Sequence, residues 1–185
     1  MTSIPSDPAH EETISSERGF DGKLVHVRVD RVRMPSGKES VREVVEHPGA
    51  VSILALTEND EVILIRQWRH VAGAVMLEMP AGTREAGEEE ETTARRELRE
   101  ETGYEAGEIR QVTRFYSSSG FCDEQITLFH VTGCTPVERE VDPDERTEVV
   151  LVPRSEIPRL IEEANREPRD AKFIIGLLWL SQQPS

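Results

Sequence analysis

Three glutamates, Glu97, Glu100 and Glu101, have a spacing that could bind a cation. Positions i, i+3 and i+4 share one face of an α-helix, so the three carboxylates would project side by side. Like charges at this spacing cost about 0.2–0.5 kcal/mol per pair, and acidic groups are disfavoured near the negative C-terminal end of a helix. Hard cations such as Mg²⁺ or Mn²⁺ take oxygen ligands and would relieve this repulsion. The cluster therefore indicates a divalent metal site.

A solvated helix face is the alternative interpretation of the same residues. Arg95, Arg96 and Arg99 alternate with the glutamates and could neutralise them as ion pairs. On charge pattern alone this alternative is favoured, because charge runs on protein surfaces are common. The preceding run, Glu89 to Glu91, needs no metal, since carboxylates at a helix N-terminus are favourable.

The fixed spacing around the cluster changes this balance. The stretch "GTREAGEEEETTARRELREETGY" has Gly82, five residues, Glu88, seven residues, Arg96-Glu97-Leu98, one residue, Glu100-Glu101, one residue, then Gly103-Tyr104. This pattern resembles the signature box of the Nudix hydrolases at every fixed position. The segments "REVVEHPGAV", "IRQWR", "LEMPAG", "GFCDE" and "DAKFIIGLL" are similar to the ADP-ribose pyrophosphatase branch of that family, over roughly residues 20 to 182.

The resemblance implies a reaction and assigns roles within the box. Members of the family cleave a nucleoside diphosphate linked to another group, at the diphosphate, with a divalent metal. The resemblance thus implies hydrolysis of ADP-ribose or a related ADP-sugar to AMP and a sugar phosphate, with Mg²⁺ or alternatively Mn²⁺. The alternatives are a broader nucleotide-sugar or dinucleotide diphosphatase and a non-catalytic, ligand-sensing Nudix domain. Glu97, Glu101 and the carbonyl of Ala81 match metal ligands. Glu100 is a further ligand candidate and, with Arg96, a candidate catalytic residue; Arg96 is expected to orient a glutamate. The framework positions are Gly82, Glu88 and Gly103.

Other residues match substrate-binding positions of the family. Arg69 is expected to bind phosphate, and bidentate guanidinium geometry suits that role. Arg42 and Glu43 match a pair that contacts adenine, although they could equally form a surface pair. Glu78 could bear on the metal or support the site. Ser119 and Gly120 lie where ADP-ribose-specific relatives carry "SPG"; Ser119 replaces the proline, which predicts a more flexible loop and looser selectivity.

The general base is expected in the acidic segment "EREVDPDERTEVV". Glu145 is the first candidate, because it lies closest to the matching position before the strand "EVVLVP". Asp144 and Glu148 are rivals, and a solvated acidic loop is the alternative for each of these residues.

The surrounding elements predict an α/β/α sandwich with a mixed sheet and an N-terminal antiparallel hairpin. Alternating apolar residues indicate strands at "KLVHVRVDRV" and "SVREVVEH", and further strands precede and follow a helix from about Glu89 to Thr102. Gly103 stands where a helix C-cap glycine belongs. Residues 1–19 are polar and read as a flexible tail, and residues 20–185 as a single Nudix hydrolase domain.

The composition of the 185 residues limits the partners. A net charge of −14 argues against nucleic acid and anionic membranes. No apolar run is long enough to span a bilayer, and the first residues lack a signal-peptide pattern. Two cysteines without framework spacing favour the cytoplasm. The expected partner is a small nucleoside diphosphate substrate. A homodimer formed through the N-terminal hairpin is also expected, because its strands need covering and relatives exchange this region.

Overall fold

The computed structural model describes residues 10–139 and 147–184. These residues fall into two compact units. The first contains the chain up to His47 together with Tyr116–Gln125. The second contains Pro48–Phe115 and the chain from Ile126 onwards.

The first unit contains three strands, β1 (Glu12–Asp21), β2 (His26–Arg33) and β3 (Glu39–Glu46). They form an antiparallel sheet in the order β1-β2-β3. Strands β2 and β3 form the predicted hairpin. The flexible tail expected over residues 1–19 is wrong for residues 12–19, which belong to β1. Strand β1 is exposed throughout and mostly polar, so cross-strand pairing and ion pairs such as Arg33–Glu12 (3.0 Å) hold it instead of burial.

The second unit is built on a mixed sheet of eight strands within the described residues. The strands are β4 (Ala50–Thr57), β5 (Glu61–Arg69), β6 (Ala74–Glu78), β7 (Ala81–Thr83), β8 (Tyr104–Glu105), β9 (Glu108–Tyr116), β10 (Gln125–Pro136) and β11 (Thr147–Pro153). Their order in the sheet is β11-β5-β4-β10-β8, with β6 beside β5, β7 beside β4 and β9 beside β10. Strands β4 and β10 are parallel, whereas β5 is antiparallel to β4, β6 and β11.

Helices cover both faces of this sheet. Helix α1 (Glu90–Thr102) buries Ala94 and Leu98 against one face, beside Ile53 and Phe129. Helices α2 (Ile157–Ala164) and α3 (Ala171–Ser181) pack on the other face, where Phe173 and Leu177 are buried. The predicted α/β/α sandwich is therefore confirmed. No helix in the described part of the chain has the length and apolar character needed to cross a membrane.

Candidate active site

Arg96, on α1, is the centre of an ion-pair network. Its Nε and Nη2 atoms donate to the two carboxylate oxygens of Glu88, each at 3.0 Å. Its Nη1 atom donates to Glu97 Oε1 at 2.8 Å and to Glu100 Oε2 at 3.0 Å. Positions 96 and 100 lie one helical turn apart, and Glu88 reaches back from the loop before the helix. Arg96 therefore fixes the rotamers of three acidic side chains at once, a geometry in which it orients glutamates.

Glu88 ties the loop before α1 to the helix. Its Oε2 atom also accepts hydrogen bonds from the Glu85 amide (3.2 Å) and from the hydroxyl of Thr93 (2.9 Å). The hydrogen bonds from Arg96, assisted by those from Glu85 and Thr93, lower the pKa of Glu88 to about 2. This carboxylate is thus ionised and fully engaged, which suits a structural role. Sequence reasoning did not identify Thr93, a residue with no distinguishing pattern.

Two other carboxylates of α1 lie against the short strand β7. Glu101 is 5% exposed, and its Oε2 atom accepts a hydrogen bond from the Ala81 amide at 2.9 Å. A Cβ atom added at Gly82 would lie only 1.9 Å from Glu97 Cδ. A side chain at position 82 would therefore displace the Glu97 carboxylate from this place beside the backbone. Because residues 81 and 82 are adjacent, Glu97 and Glu101 are brought together at one strand.

The oxygen atoms that α1 and β7 bring together are of the type that binds a divalent cation. Glu97, Glu101 and the carbonyl of Ala81 are all oxygen donors of the type that Mg²⁺ and Mn²⁺ prefer. Within residues 10–139 and 147–184, no three acidic, histidine or cysteine side chains are arranged to hold a metal as they stand. Arg96 forms ion pairs with both Glu97 and Glu100, and the side chain of Glu100 is 44% exposed. Glu100 as a ligand stays a prediction.

Arg69, at the end of β5, and Glu78, at the end of β6, form a bidentate pair. Arg69 Nε donates to Glu78 Oε1 at 2.8 Å, and Nη2 donates to Oε2 at 2.7 Å. Glu78 is buried, whereas the Arg69 side chain is 40% exposed. The pKa of Arg69 is raised by the Glu78 hydrogen bonds and further by the charges of Glu101 and Asp170. The structure thus places a fixed guanidinium near the α1 carboxylates, with Glu78 supporting it.

Four predicted substrate-binding residues meet in the first unit. Arg42, Glu43, Ser119 and Gly120 line a cavity of about 330 Å³, together with Tyr116 and Asp123. The loop that carries Ser119 is attached to β3 by hydrogen bonds on both sides of Val45, from Val45 N to Phe121 O (2.7 Å) and from Asp123 N to Val45 O (3.1 Å).

The guanidinium of Arg42 has hydrogen-bond partners within the protein. Its Nε atom donates to Glu11 Oε2 at 2.9 Å, and its Nη1 atom donates to Ser40 Oγ at 3.0 Å. Glu11 lies just before β1, in the segment that sequence reasoning assigned to the tail. Arg42 is therefore oriented by residues that no motif identified.

Of the general-base candidates, Glu145 and Asp144 lie outside the described residues. Glu148 is described, and its carboxylate pairs with Arg66 at 2.9 Å. Val149 packs with the α1-side core, so its neighbour Glu148 projects toward the opposite face of the sheet. The structure therefore argues against Glu148 as a base that acts beside α1.

The C-terminal end of α1 receives donors from outside the helix. Gly103 adopts the left-handed conformation (φ 71°) and its amide donates to Arg99 O, which confirms the predicted C-cap. Arg139 Nε donates to Glu100 O at 3.1 Å, and Thr147 Oγ1 donates to Glu101 O at 3.0 Å. Sequence reasoning missed both donors, which lie far along the chain.

Carboxylates suited to a hard cation, a guanidinium suited to phosphate and an α/β/α sandwich are together the parts of a metal-dependent phosphohydrolase. The model of the NUDIX domain matches residues 46–175, and that of the nucleoside diphosphate sugar hydrolase N-terminal domain matches residues 11–45. The chain belongs to the Nudix family, whose members generally need a divalent metal.

Individual relatives align over most of the chain. An ADP-ribose pyrophosphatase of Bacillus subtilis is 42% identical over 172 residues, 92% of each protein. A methanol dehydrogenase activator of Bacillus methanolicus is 37% identical over 175 residues, 94% of each. A crystal structure of an ADP compounds hydrolase superposes with a TM-score of 0.80 and 21% identity, over 97% of this chain and 95% of that one, which supports the fold.

Proposed function

We propose that this protein is a Nudix diphosphatase that hydrolyses the diphosphate bond of ADP-ribose or a related ADP-sugar, giving AMP and a sugar phosphate. The observation that carries the proposal is the complete box, with Glu97 and Glu101 both held against β7. The ADP-ribose pyrophosphatase at 42% identity supports the substrate class.

The reaction is the attack of water on a phosphorus atom of the diphosphate. A bond forms between the water oxygen and phosphorus, the bond from that phosphorus to the bridging oxygen breaks, and a water proton passes to a base. Mg²⁺, or Mn²⁺ in its place, would neutralise phosphate charge and lower the pKa of water when bound. Glu97, Glu101 and the Ala81 carbonyl would hold the cation. Glu145 is proposed as the base, with Asp144 as its rival.

The other polar residues would bind and orient the substrate. Arg69 would donate to phosphate oxygens through the guanidinium edge that Glu78 does not occupy, and its pairing with buried Glu78 reduces the entropy lost on binding. Arg42 and Glu43 would contact the adenosine part of the substrate. Ser119 and Gly120 would lie beside the distal sugar. Arg96 would act on the carboxylates and not on the substrate.

The assembly and location are also proposals. A homodimer is supported by the ten exposed residues of β1 at the edge of the first sheet. A cytoplasmic location is supported by two free thiols, Cys122 and Cys134.

The test is a substrate panel. ADP-ribose, ADP-glucose and a dinucleotide are incubated with the protein at equal concentration, with Mg²⁺, with Mn²⁺ and with chelator. Phosphate is then released from the products by an added phosphatase and quantified. We expect ADP-ribose to give the highest kcat/KM and the chelator to abolish turnover. Cleavage of another nucleotide sugar or a dinucleotide without ADP-ribose would overturn the ADP-ribose assignment and leave a broader diphosphatase, an alternative that Ser119 favours.

A further inference from the structure

The last carbonyls of α1 are held by side chains from the β10–β11 region. The final four carbonyls of an α-helix have no partner within the helix. Here the Glu100 carbonyl accepts from Arg139 Nε (3.1 Å) and the Glu101 carbonyl accepts from Thr147 Oγ1 (3.0 Å). These carbonyls belong to two of the acidic residues of the box.

Arg139 and Thr147 also hold each other. Arg139 Nη1 donates to the Thr147 carbonyl at 3.2 Å, and Nη2 donates to the Thr147 hydroxyl. That hydroxyl in turn donates to Glu101 O, so a continuous chain of hydrogen bonds runs from the guanidinium to the helix end. Val137 N donates to Gly103 O at 2.8 Å and attaches the same end of α1 to the chain just before Arg139.

Glu101 is consequently fixed at two points. Its carbonyl is bound by Thr147, and its carboxylate is bound by the Ala81 amide. Movement of the last turn of α1 would break the first contact and shift the second. The carboxylate of Glu97, one turn earlier, lies where a Cβ atom at position 82 would otherwise be. The position of both carboxylates therefore depends on where the C-terminal turn of α1 is held.

We propose that Arg139 and Thr147 are positioning residues for the divalent cation: they hold the last turn of α1 so that Glu97 and Glu101 stay against β7. This inference rests on the cation-binding part of the proposed function. It does not depend on which nucleotide is cleaved.

A simple charge effect of Arg139 would have the opposite sign. A cation near the helix C-terminus offsets the negative helix end and the acidic cluster. If charge alone mattered, removing the guanidinium would strengthen cation binding, because repulsion of the cation would be lost. The positioning role requires weaker binding instead. Thr147 carries no charge, so its substitution isolates the geometric effect.

The experiment measures Mn²⁺ binding alone, without nucleotide, by the loss of the free Mn²⁺ electron paramagnetic resonance signal. Full-length wild type is compared with Thr147→Val, Arg139→Met and Arg139→Lys, each well below its own Tm. Loss of contacts that orient metal ligands costs roughly tenfold to a hundredfold in affinity. We expect Thr147→Val and Arg139→Met to raise the Kd roughly tenfold. Arg139→Lys keeps the charge without the fork and should recover only part of the loss.

Two controls keep the result interpretable. Thr147→Ser restores the hydroxyl and should return the Kd to the wild-type value. Arg166→Met removes an exposed arginine that follows α2 and pairs with Glu162 of that helix, and should change nothing. Unchanged Mn²⁺ binding in Thr147→Val, or tighter binding in Arg139→Met, would overturn the positioning role. Turnover of ADP-ribose by the wild type is measured separately, so failure of the substrate assignment is distinguishable from failure of this inference.

Discussion

Glu97 and Glu101 are the residues on which the proposed metal site depends. Glu97→Gln and Glu101→Gln should each abolish turnover, because the amide keeps the size and hydrogen bonding of the side chain and removes the negative charge a divalent cation needs. The fold should persist, since glutamine can still accept from Arg96 or the Ala81 amide. The measurements are kcat and Tm, with and without Mg²⁺. Glu162→Gln, an exposed carboxylate paired with Arg166, is the matched control. Wild-type turnover in either site variant would remove that residue from the ligand set.

Glu88 should contribute stability that depends on pH. Its pKa is about 2 in the fold, against an ordinary value of 4.5, so folding favours the ionised form. This contribution is fully present above about pH 4.5 and is lost as the pH falls toward 2. Replacing Glu88 by glutamine should therefore lower the free energy of unfolding near neutral pH by about 1–3 kcal/mol, and the difference from wild type should shrink below pH 4.5.

Urea unfolding of both proteins at pH 7, 4.5 and 3 measures this difference. Only the difference between wild type and Glu88→Gln is informative, because other carboxylates titrate over the same range. Glu162→Gln should show little effect at any of these pH values, since its ion pair is exposed. A wild-type advantage over Glu88→Gln that persists undiminished at pH 3 would show that the contacts of Glu88 do not depend on its charge.

At the scale of elements, the conformation of the loop between β9 and β10 determines how a proline at position 119 would affect stability and selectivity. Ser118 O accepts from Phe121 N at 3.1 Å, which makes Ser119 the second residue of a four-residue turn. Proline is favoured at this position of common turns. Ser119→Pro should therefore fit and stabilise the fold by about 0.4–1 kcal/mol through the unfolded state. A more rigid loop should also raise selectivity for ADP-ribose over ADP-glucose and dinucleotides.

The selectivity effect is measured as the ratio of kcat/KM values for these substrates in both proteins. Ser117→Pro would be a poor comparison, because its amide donates to Glu124 O. Ser119→Ala is the better control, since it removes the hydroxyl without fixing the backbone. An unchanged ratio in Ser119→Pro, or an equal rise of the ratio in Ser119→Ala, would show that the rigidity of this loop does not determine substrate selectivity.

The elements differ in how far their sequences predict them. The sequence predicts helix α1 from about Glu89 to Thr102, and the helix runs from Glu90 to Thr102. This prediction is close because Ala94 and Leu98 mark the buried face of the helix and Gly103 marks its end. Strand β1 was missed, because its ten residues are all exposed and no apolar period marks them. Local sequence patterns predict which residues are buried and where a helix is capped. They do not predict a strand that is held by backbone pairing and by ion pairs between exposed side chains.

The candidate site shows the same division. The box spacing predicted which residues of α1 would share a face. It could not predict that Arg96 would hold Glu88, Glu97 and Glu100 together, since charge patterns do not specify which partners meet. Contacts between distant parts of the chain, such as that of Arg139 with the Glu100 carbonyl, could not be predicted from the residue spacing of the box. Recognising them requires the tertiary structure, because they join residues 39 positions apart.

At the scale of the whole molecule, the first sheet has exposed residues among those that the structure describes. Strand β1 lies at its edge and is exposed on both faces. Phe20, Leu24 and Val41 are each more than half exposed in the same unit. An exposed edge and apolar side chains of this kind favour association with another chain. The net charge of −14 opposes nonspecific aggregation, so a defined contact between two copies is the expected outcome.

We therefore expect a homodimer in solution, with a mass by light scattering of about twice the 20.9 kDa of the chain at micromolar concentration. A stable interface buries about 800 Å² on each partner, and a charge placed within it should weaken association strongly, because the charge would lose its water. Phe20→Asp should shift the protein toward monomer. Val71→Asp, in the fully exposed turn between β5 and β6, is the control and should leave the dimer intact. A wild-type mass near that of one chain, or equal dissociation in both variants, would count against the first sheet as the dimer contact.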